Sequence, residues 1–251
     1  MGDEKDPIEQ TEVWSWWSTF IWGCIIAAIF MATQLMVIGL YIGAIHGNVP
    51  ENEIAVLMQQ LQSNGTVISL ATLATLIVGS LVTFGIIKLK KQSRLGPYLG
   101  LKLASGSETK KWLVIFIALL ILSEVLNYLF DKNEAHDFMV TAYLTAEPIW
   151  LLWIAMVVAA PVFEELFFRG FLLEGFRRSF IGTTGAVVLT SLLWAVIHTQ
   201  YDLYYMTTIF VMGVVLGIVR IQTGSVALTI GLHALNNGLA MLQTAYFMVG
   251  G

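Results

Sequence analysis

The chain has 251 residues, of which 57% are hydrophobic and 12% charged, and its mean hydropathy is +0.77. Soluble domains carry roughly 25% charged residues, so a soluble enzyme or a nucleic-acid-binding module is excluded and an all-α, polytopic transmembrane bundle is implied. The formal net charge of −4 decides little, because in such a protein the placement of charge matters more than its sum.

Residues 1–251 read as a single integral membrane domain. The opening stretch, MGDEKDPIEQTE, is acidic and lacks the basic n-region of a signal peptide, so the apolar run from Trp14 onward is expected to stay as a helix. Runs of about 20 apolar residues cross a bilayer as helices, and the chain offers about seven. They are Val13–Ile45, Val67–Ile87, Trp112–Phe130, Ile149–Phe176, Thr183–His198, Leu203–Ile221 and Val226–Val249. The first and fourth are long enough to tilt or project, and the fifth is short. WSWW, Trp14–Trp17, has the composition of an interfacial aromatic belt. ENEIAVLMQQLQSNG reads as a small amphipathic surface helix between the first two spans. Cys24, the single cysteine, has no partner in the chain for a disulfide.

Basic residues set the orientation. Lys88, Lys90, Lys91, Arg94, Lys102, Lys110 and Lys111 lie between the second and third spans. Arg177 and Arg178 follow the fourth span and Arg220 ends the sixth. With seven spans these share one side with Lys5, and Lys132 lies opposite. The positive-inside bias then places the N-terminus in the cytoplasm and the C-terminus outside, in the inner membrane if the source is bacterial.

A charge at mid-membrane costs about 2.5–3.5 kcal/mol on insertion scales, so each one needs a reason. The candidates are Glu124, Glu164, Glu165, Arg169, His198, His233 and Asn237. At 1.5 Å per residue, Glu164 lies roughly 20 Å, Arg169 roughly 12 Å and His198 roughly 24 Å from the basic edge. By the same count His233 lies roughly 12 Å and Asn237 roughly 18 Å from it. Three helices thus bring polar groups to one layer, as bundle sites do. Glu165 and Arg169, spaced i,i+4, are expected to pair and to support the structure. Glu164 points about 100° away and has no neutralising neighbour in sequence. His233 and Asn237 share a face; either one alone suits interhelical hydrogen bonding. Trp194, i−4 to His198, packs beside it. Glu124 is assigned no chemistry.

A carboxylate beside a histidine can deprotonate a water, and a second histidine with an amide can hold an oxyanion. Alternatively Glu164, His198 and His233 form a His₂Glu set of the kind that binds catalytic zinc or another divalent metal. HExxH is absent, and the depth counts keep the two histidines well apart, so no cofactor is expected to be required.

At these residues the chain resembles the CPBP family of intramembrane proteases, which includes the type II CAAX prenyl endopeptidases and bacterial Abi proteins. EELFFR, Glu164–Arg169, matches the family's EExxxR. WAVIH, Trp194–His198, matches FxxxH with Trp in place of Phe, and HALNN, His233–Asn237, matches HxxxN. LGLKL is similar to a short stretch common ahead of the family's core. The resemblance implies a catalytic core over 149–249, with Glu164 as general base and His198 assisting it. It makes His233 and Asn237 the oxyanion site, and Glu165 and Arg169 supporting residues. The implied substrate is a membrane-embedded or lipid-anchored polypeptide within the bilayer. Two competing classes remain, a proton-coupled transporter and a non-catalytic membrane scaffold. The site is expected to open as a polar cavity on the cytoplasmic side near Phe176. No feature of the sequence fixes an oligomeric state.

Overall fold

The structure, a computed structural model, describes residues 11–45, 47, 49–132 and 137–250. Lys5 and most of the acidic opening lie outside the described residues. Ten helices follow in order: α1 Trp16–Ile45, α2 Glu51–Leu61, α3 Gly65–Leu89, α4 Leu95–Leu99 and α5 Gly106–Leu129 come first. Then come α6 Asp137–Thr145, α7 Ile149–Arg177, α8 Gly182–Val196, α9 Leu203–Thr223 and α10 Val226–Gly250. No strand occurs among the described residues.

Among the described residues five helices are long and apolar enough to cross a membrane: α1, α3, α5, α7 and α9. The apolar α8 has 15 residues, which is short for a span. At 25 residues α10 is long enough, and it carries the polar His233, Asn236 and Asn237. An all-helical membrane bundle is therefore present, built on these five helices.

Local chemistry sets the helix starts. Asn64 Oδ1 accepts the amide of Val67 at the head of α3. Ser105 and Glu108 form a reciprocal capping box, which starts α5 before Trp112, where the apolar run alone would put it. Asp202 accepts from the amide of Tyr205 at the start of α9. WSWW does not form an outward belt: Trp17 is exposed, but Trp14 donates its indole N–H to the carbonyl of Ile86. Trp16 lies against Phe176 with ring centroids 4.5 Å apart. An indole buried against a core stabilises by area as well as by its hydrogen bond, so these two face inward.

The central element is α7. From Glu165 to Phe176 every residue is buried, which suits a helix that is apolar all round and enclosed by others. It is not a uniform α-helix. Ala155–Ala159 and Leu166–Leu172 are π-helical turns on either side of Pro161. Each widened turn shifts the face that later residues present, and such bulges are common at functional sites.

The basic residues gather at one end of the bundle. Glu174, 3% exposed, accepts from Arg177 at 2.8 Å and Arg178 at 2.8 Å and lies 3.7 Å from Arg220. The LGLKL stretch covers the same end. Gly100 adopts φ +70° against the Arg220 guanidinium, where a Cβ would collide with it. The carbonyl of Gly100 accepts the amide of Val226, and Ser225 donates its hydroxyl to the carbonyl of Lys102 at 2.5 Å. Tyr98, Phe171, Leu173 and Phe176 are fully buried beneath this layer. Glu174→Ala removes the one buried anion that holds these guanidinium groups. Arg177 and Arg178 can turn to water, at 33% and 45% side-chain exposure, but Arg220 at 7% cannot, so the loss is about 1–3 kcal/mol, and each kcal/mol lowers the melting point by about 2–4 °C at this size. The thermal midpoint in detergent is expected to fall accordingly, and an unchanged midpoint would contradict the assignment.

Candidate active site

Four of the residues singled out in the sequence, Glu164, Arg169, His198 and His233, come together around Trp194, which the sequence marks only as packing. Trp194, 1% exposed, donates its indole N–H to Glu164 Oε2 at 2.5 Å. Its ring lies 4.4 Å from the Arg169 guanidinium carbon, within cation–π range. It meets the His198 ring edge-on at 5.5 Å and the His233 ring edge-on at 5.1 Å. Its carbonyl oxygen lies 2.8 Å from His198 Nδ1. The departure from Phe at this position thus supplies a donor that Phe lacks, and it gives Glu164 the partner missing from its sequence neighbourhood. The two histidines are closer than a depth count along the helices puts them. His198 falls just past the end of α8, and both imidazoles flank the same ring.

The two adjacent carboxylates diverge, as the 100° step requires. Glu164 is half-buried and lines a cavity, whereas Glu165 is fully buried. Glu165 Oε1 accepts from Arg169 Nη1 at 2.9 Å and lies 3.1 Å from His233 Nδ1. Arg169 Nη2 donates to the carbonyl of Gly213 at 3.3 Å. Beside that contact α9 passes close: a Cβ at Gly213 would sit 3.0 Å from Ser191 Cβ and 3.2 Å from Arg169 Nη2. The pair expected from i,i+4 spacing is therefore present, and it extends to the last helix through His233.

Both histidines have their proton positions set by acceptors. A carbonyl can only accept, so His198 Nδ1 donates to Trp194 and leaves Nε2 as the lone-pair nitrogen of the neutral ring. A carboxylate likewise accepts, so His233 Nδ1 donates to Glu165. Donation from both nitrogens of His233 requires the imidazolium.

Asn237 has a separate local explanation. At the first π-turn the amide of Ala160 bonds the carbonyl of Ala155. Residue 161 is proline and has no N–H, so neither residue serves the carbonyl of Met156. Asn237 Nδ2 supplies the missing bond at 2.9 Å. One of its two amide protons is thus used structurally and one is left over. Asn237 Oδ1 accepts from Asn236 at 3.2 Å.

Glu164, Trp194, His198, His233 and Asn237 all line one cavity of about 1360 Å³. Glu124 lines it too, at a distance along α5, and accepts from Asn127 at 3.4 Å. The cavity does not run toward Phe176, which is 1% exposed. The opening expected beside that residue is absent because Trp16, Tyr98, Phe171 and Leu173 fill the space. It runs instead toward Lys132, Tyr201 and Tyr246 at the far end of the bundle. Among the described residues no three His, Cys, Asp or Glu side chains gather so that they could ligate a metal.

Residues 146–239 match the family model described as Rce1-like: type II CAAX prenyl endopeptidase Rce1-like. That segment holds all three motifs. Over 100 residues the chain is 36% identical to the UPF0177 protein YbdI of Lactococcus lactis subsp. lactis, covering 36% of this chain and 51% of that protein. It is 28% identical over 134 residues to an uncharacterized 24.3 kDa protein of Escherichia coli, covering 51% of this chain and 59% of that one. The chain thus spans between half and three-fifths of the length of these curated relatives. No solved structure matches it.

Arg169→Ala leaves Glu165 buried beside an unprotonated or protonated His233 and removes the cation from the indole face. The expected loss is about 3–5 kcal/mol, seen as lower yield of folded protein and a lower thermal midpoint in detergent. A variant of wild-type stability would show that Arg169 is not a structural support.

Proposed function

We propose that the chain is an intramembrane endopeptidase that hydrolyses a peptide bond of a membrane-embedded or lipid-anchored polypeptide. The observation that carries this reading is the convergence of Glu164, His198 and His233 on Trp194 at the floor of a cavity. The family-model match over the same segment supports it at the level of CAAX-type intramembrane proteases.

In this reading Glu164 takes a proton from a water and His198, through its free Nε2, helps orient that water. The hydroxide so formed attacks the scissile carbonyl carbon. His233, as the imidazolium, donates Nε2–H to the developing oxyanion while Nδ1–H stays on Glu165. The remaining Asn237 amide proton is the second donor. Collapse of the tetrahedral intermediate breaks the C–N bond, and the proton held by Glu164 passes to the leaving amine. No step is routed through a metal, because among the described residues no three such side chains gather to hold one.

The orientation with the basic end in the cytoplasm, and the seven-span count it assumes, belong to the same proposal. So does placement in the inner membrane if the source is bacterial. A transporter would find the same polar layer useful, but Trp194 donating to the carboxylate and both imidazoles flanking one indole suit a fixed site better than a moving relay.

Two variants and one treatment test the chemistry, with a membrane-anchored model peptide cleaved by the purified protein. Glu164→Gln keeps the acceptor for Trp194 but loses the base, so cleavage should vanish while the thermal midpoint is kept; cleavage at the wild-type rate would refute the role. Trp194→Phe keeps a ring and loses the N–H. General-base steps contribute about 10²–10⁴-fold, and loosening the base should cost part of that in kcat with little change in KM. Exhaustive chelation should leave the rate unchanged, whereas loss restored by zinc or cobalt would make Glu164, His198 and His233 ligands after all.

A further inference from the structure

The bundle has two chemically distinct ends. At one, Arg177, Arg178 and Arg220 surround Glu174, and Lys111 reaches Gln222 across the α9 end. At the other, acidic residues predominate: Asp131, Asp137, Glu147 and Asp202 lie there, with Lys132 bonded to Asp202 at 2.6 Å. The hydrogen bond from Lys132 holds the Asp202 carboxyl below its ordinary value and the Lys132 ammonium above its own. The positive-inside bias places the arginine end in the cytoplasm.

The cavity above Glu164 runs to the acidic end. Trp194 and His233 form its floor, and Tyr201, Tyr205 and Tyr246 stand toward its mouth. Beneath the floor Leu173, Glu174 and Phe176 are 0%, 3% and 1% exposed, so the arginine end is closed. The two long sides of the cavity are the C-terminal halves of α5 and α10. Trp112 and Phe116 are the fully buried residues of α5; Leu119 and Leu120 still pack against the core, and from Ile117 to Tyr128 the helix flanks the cavity. Its volume of about 1360 Å³ exceeds the usual ~300–1,000 Å³ of small-molecule sites. The walls are largely apolar, with Asn236, Gln243 and Gln200 among them. That mixture suits an extended peptide, which brings side chains to bury and backbone groups to satisfy.

We propose that this site is open to the extracytoplasmic side and takes an extended segment of a membrane-anchored polypeptide presented on that side. A polypeptide held by a lipid in the cytoplasmic leaflet would meet the closed arginine end. The class of substrate is thus an exported or extracytoplasmically exposed membrane protein. Cleavage of the bound segment rests on the protease reading, and the side of access rests on the orientation proposed with it.

The experiment uses the full chain with Cys24, exposed in the wild type, replaced by serine. Gln243→Cys places a thiol in the cavity wall, and Ser107→Cys places one on the exposed arginine end. A membrane-impermeant maleimide is applied to spheroplasts and, separately, to inverted membrane vesicles. Gln243→Cys is expected to label in spheroplasts, and Ser107→Cys only in inverted vesicles. Gln243→Cys labelled only in inverted vesicles, or in neither preparation, would overturn the proposal. The same pattern is expected in a Glu164→Gln background. Correct labelling with no cleavage by the wild type would therefore reject the protease reading and leave the access side standing.

Discussion

The structure depends on keeping a guanidinium at the centre of an apolar bundle. Arg169 has no exposure at all, and an unpaired charge there would cost several kcal/mol even after relaxation. It is met on three sides: by Glu165 from its own helix, by the carbonyl of Gly213 from α9, and by the face of Trp194 from α8. A desolvated cation–π contact contributes about 2 kcal/mol, comparable to a charged hydrogen bond at about 1.5–3 kcal/mol. Satisfying one arginine therefore fixes the mutual placement of α7, α8 and α9. Glu165 then carries the arrangement to α10 through His233. The residues that hold the helices together are the same ones that set the side chains around Glu164.

A second constraint comes from Pro161. A proline inside a helix removes a backbone donor, and here the preceding π-turn leaves the carbonyl of Met156 without an N–H. In the interior of a membrane bundle such an acceptor must be satisfied by the protein. Asn237 does so from α10. One turn earlier on that helix, His233 reaches Glu165. The HALNN motif thus docks α10 onto α7 at two points, one on each side of Glu164 along the helix. The i,i+4 spacing that suggests a shared polar face serves first to bridge two levels of the same neighbour.

Much of this was legible in the sequence, and the reasons differ by feature. The apolar runs located the long helices because length and hydropathy are local properties. The Glu165–Arg169 pair was legible because helix geometry alone makes i,i+4 side chains neighbours. The short α4 and α6 were not, since neither is long enough to leave a periodic pattern. The π-turns were hidden too, because Glu165–Phe176 is buried on every side and shows no face. Trp194 was seen only as a neighbour of His198. What marks it is chemical: an indole buried in an apolar layer must find an acceptor for its N–H, and Glu164 was an acid at that layer in search of a donor. Matching unsatisfied donors to unsatisfied acceptors would have joined α7 to α8 without any structure.

The direction of the cavity was also missed, and the reason is energetic. Depth counts measure only how far each group lies from the arginine edge. Distance does not decide access; packing does. The arginine side of the site is filled by Phe171, Leu173 and Phe176, with Tyr98 and Trp16 against them, and interiors of that kind pack to crystal-like density. Glu174 and its arginines seal the layer below, since guanidinium groups that share one buried carboxylate cannot part without exposing its charge to an apolar core. The opposite side has no such filling: α5 lines a cavity there from Ile117 to Tyr128. The basic residues therefore close their own end, and the cavity beside Glu164 runs to the other.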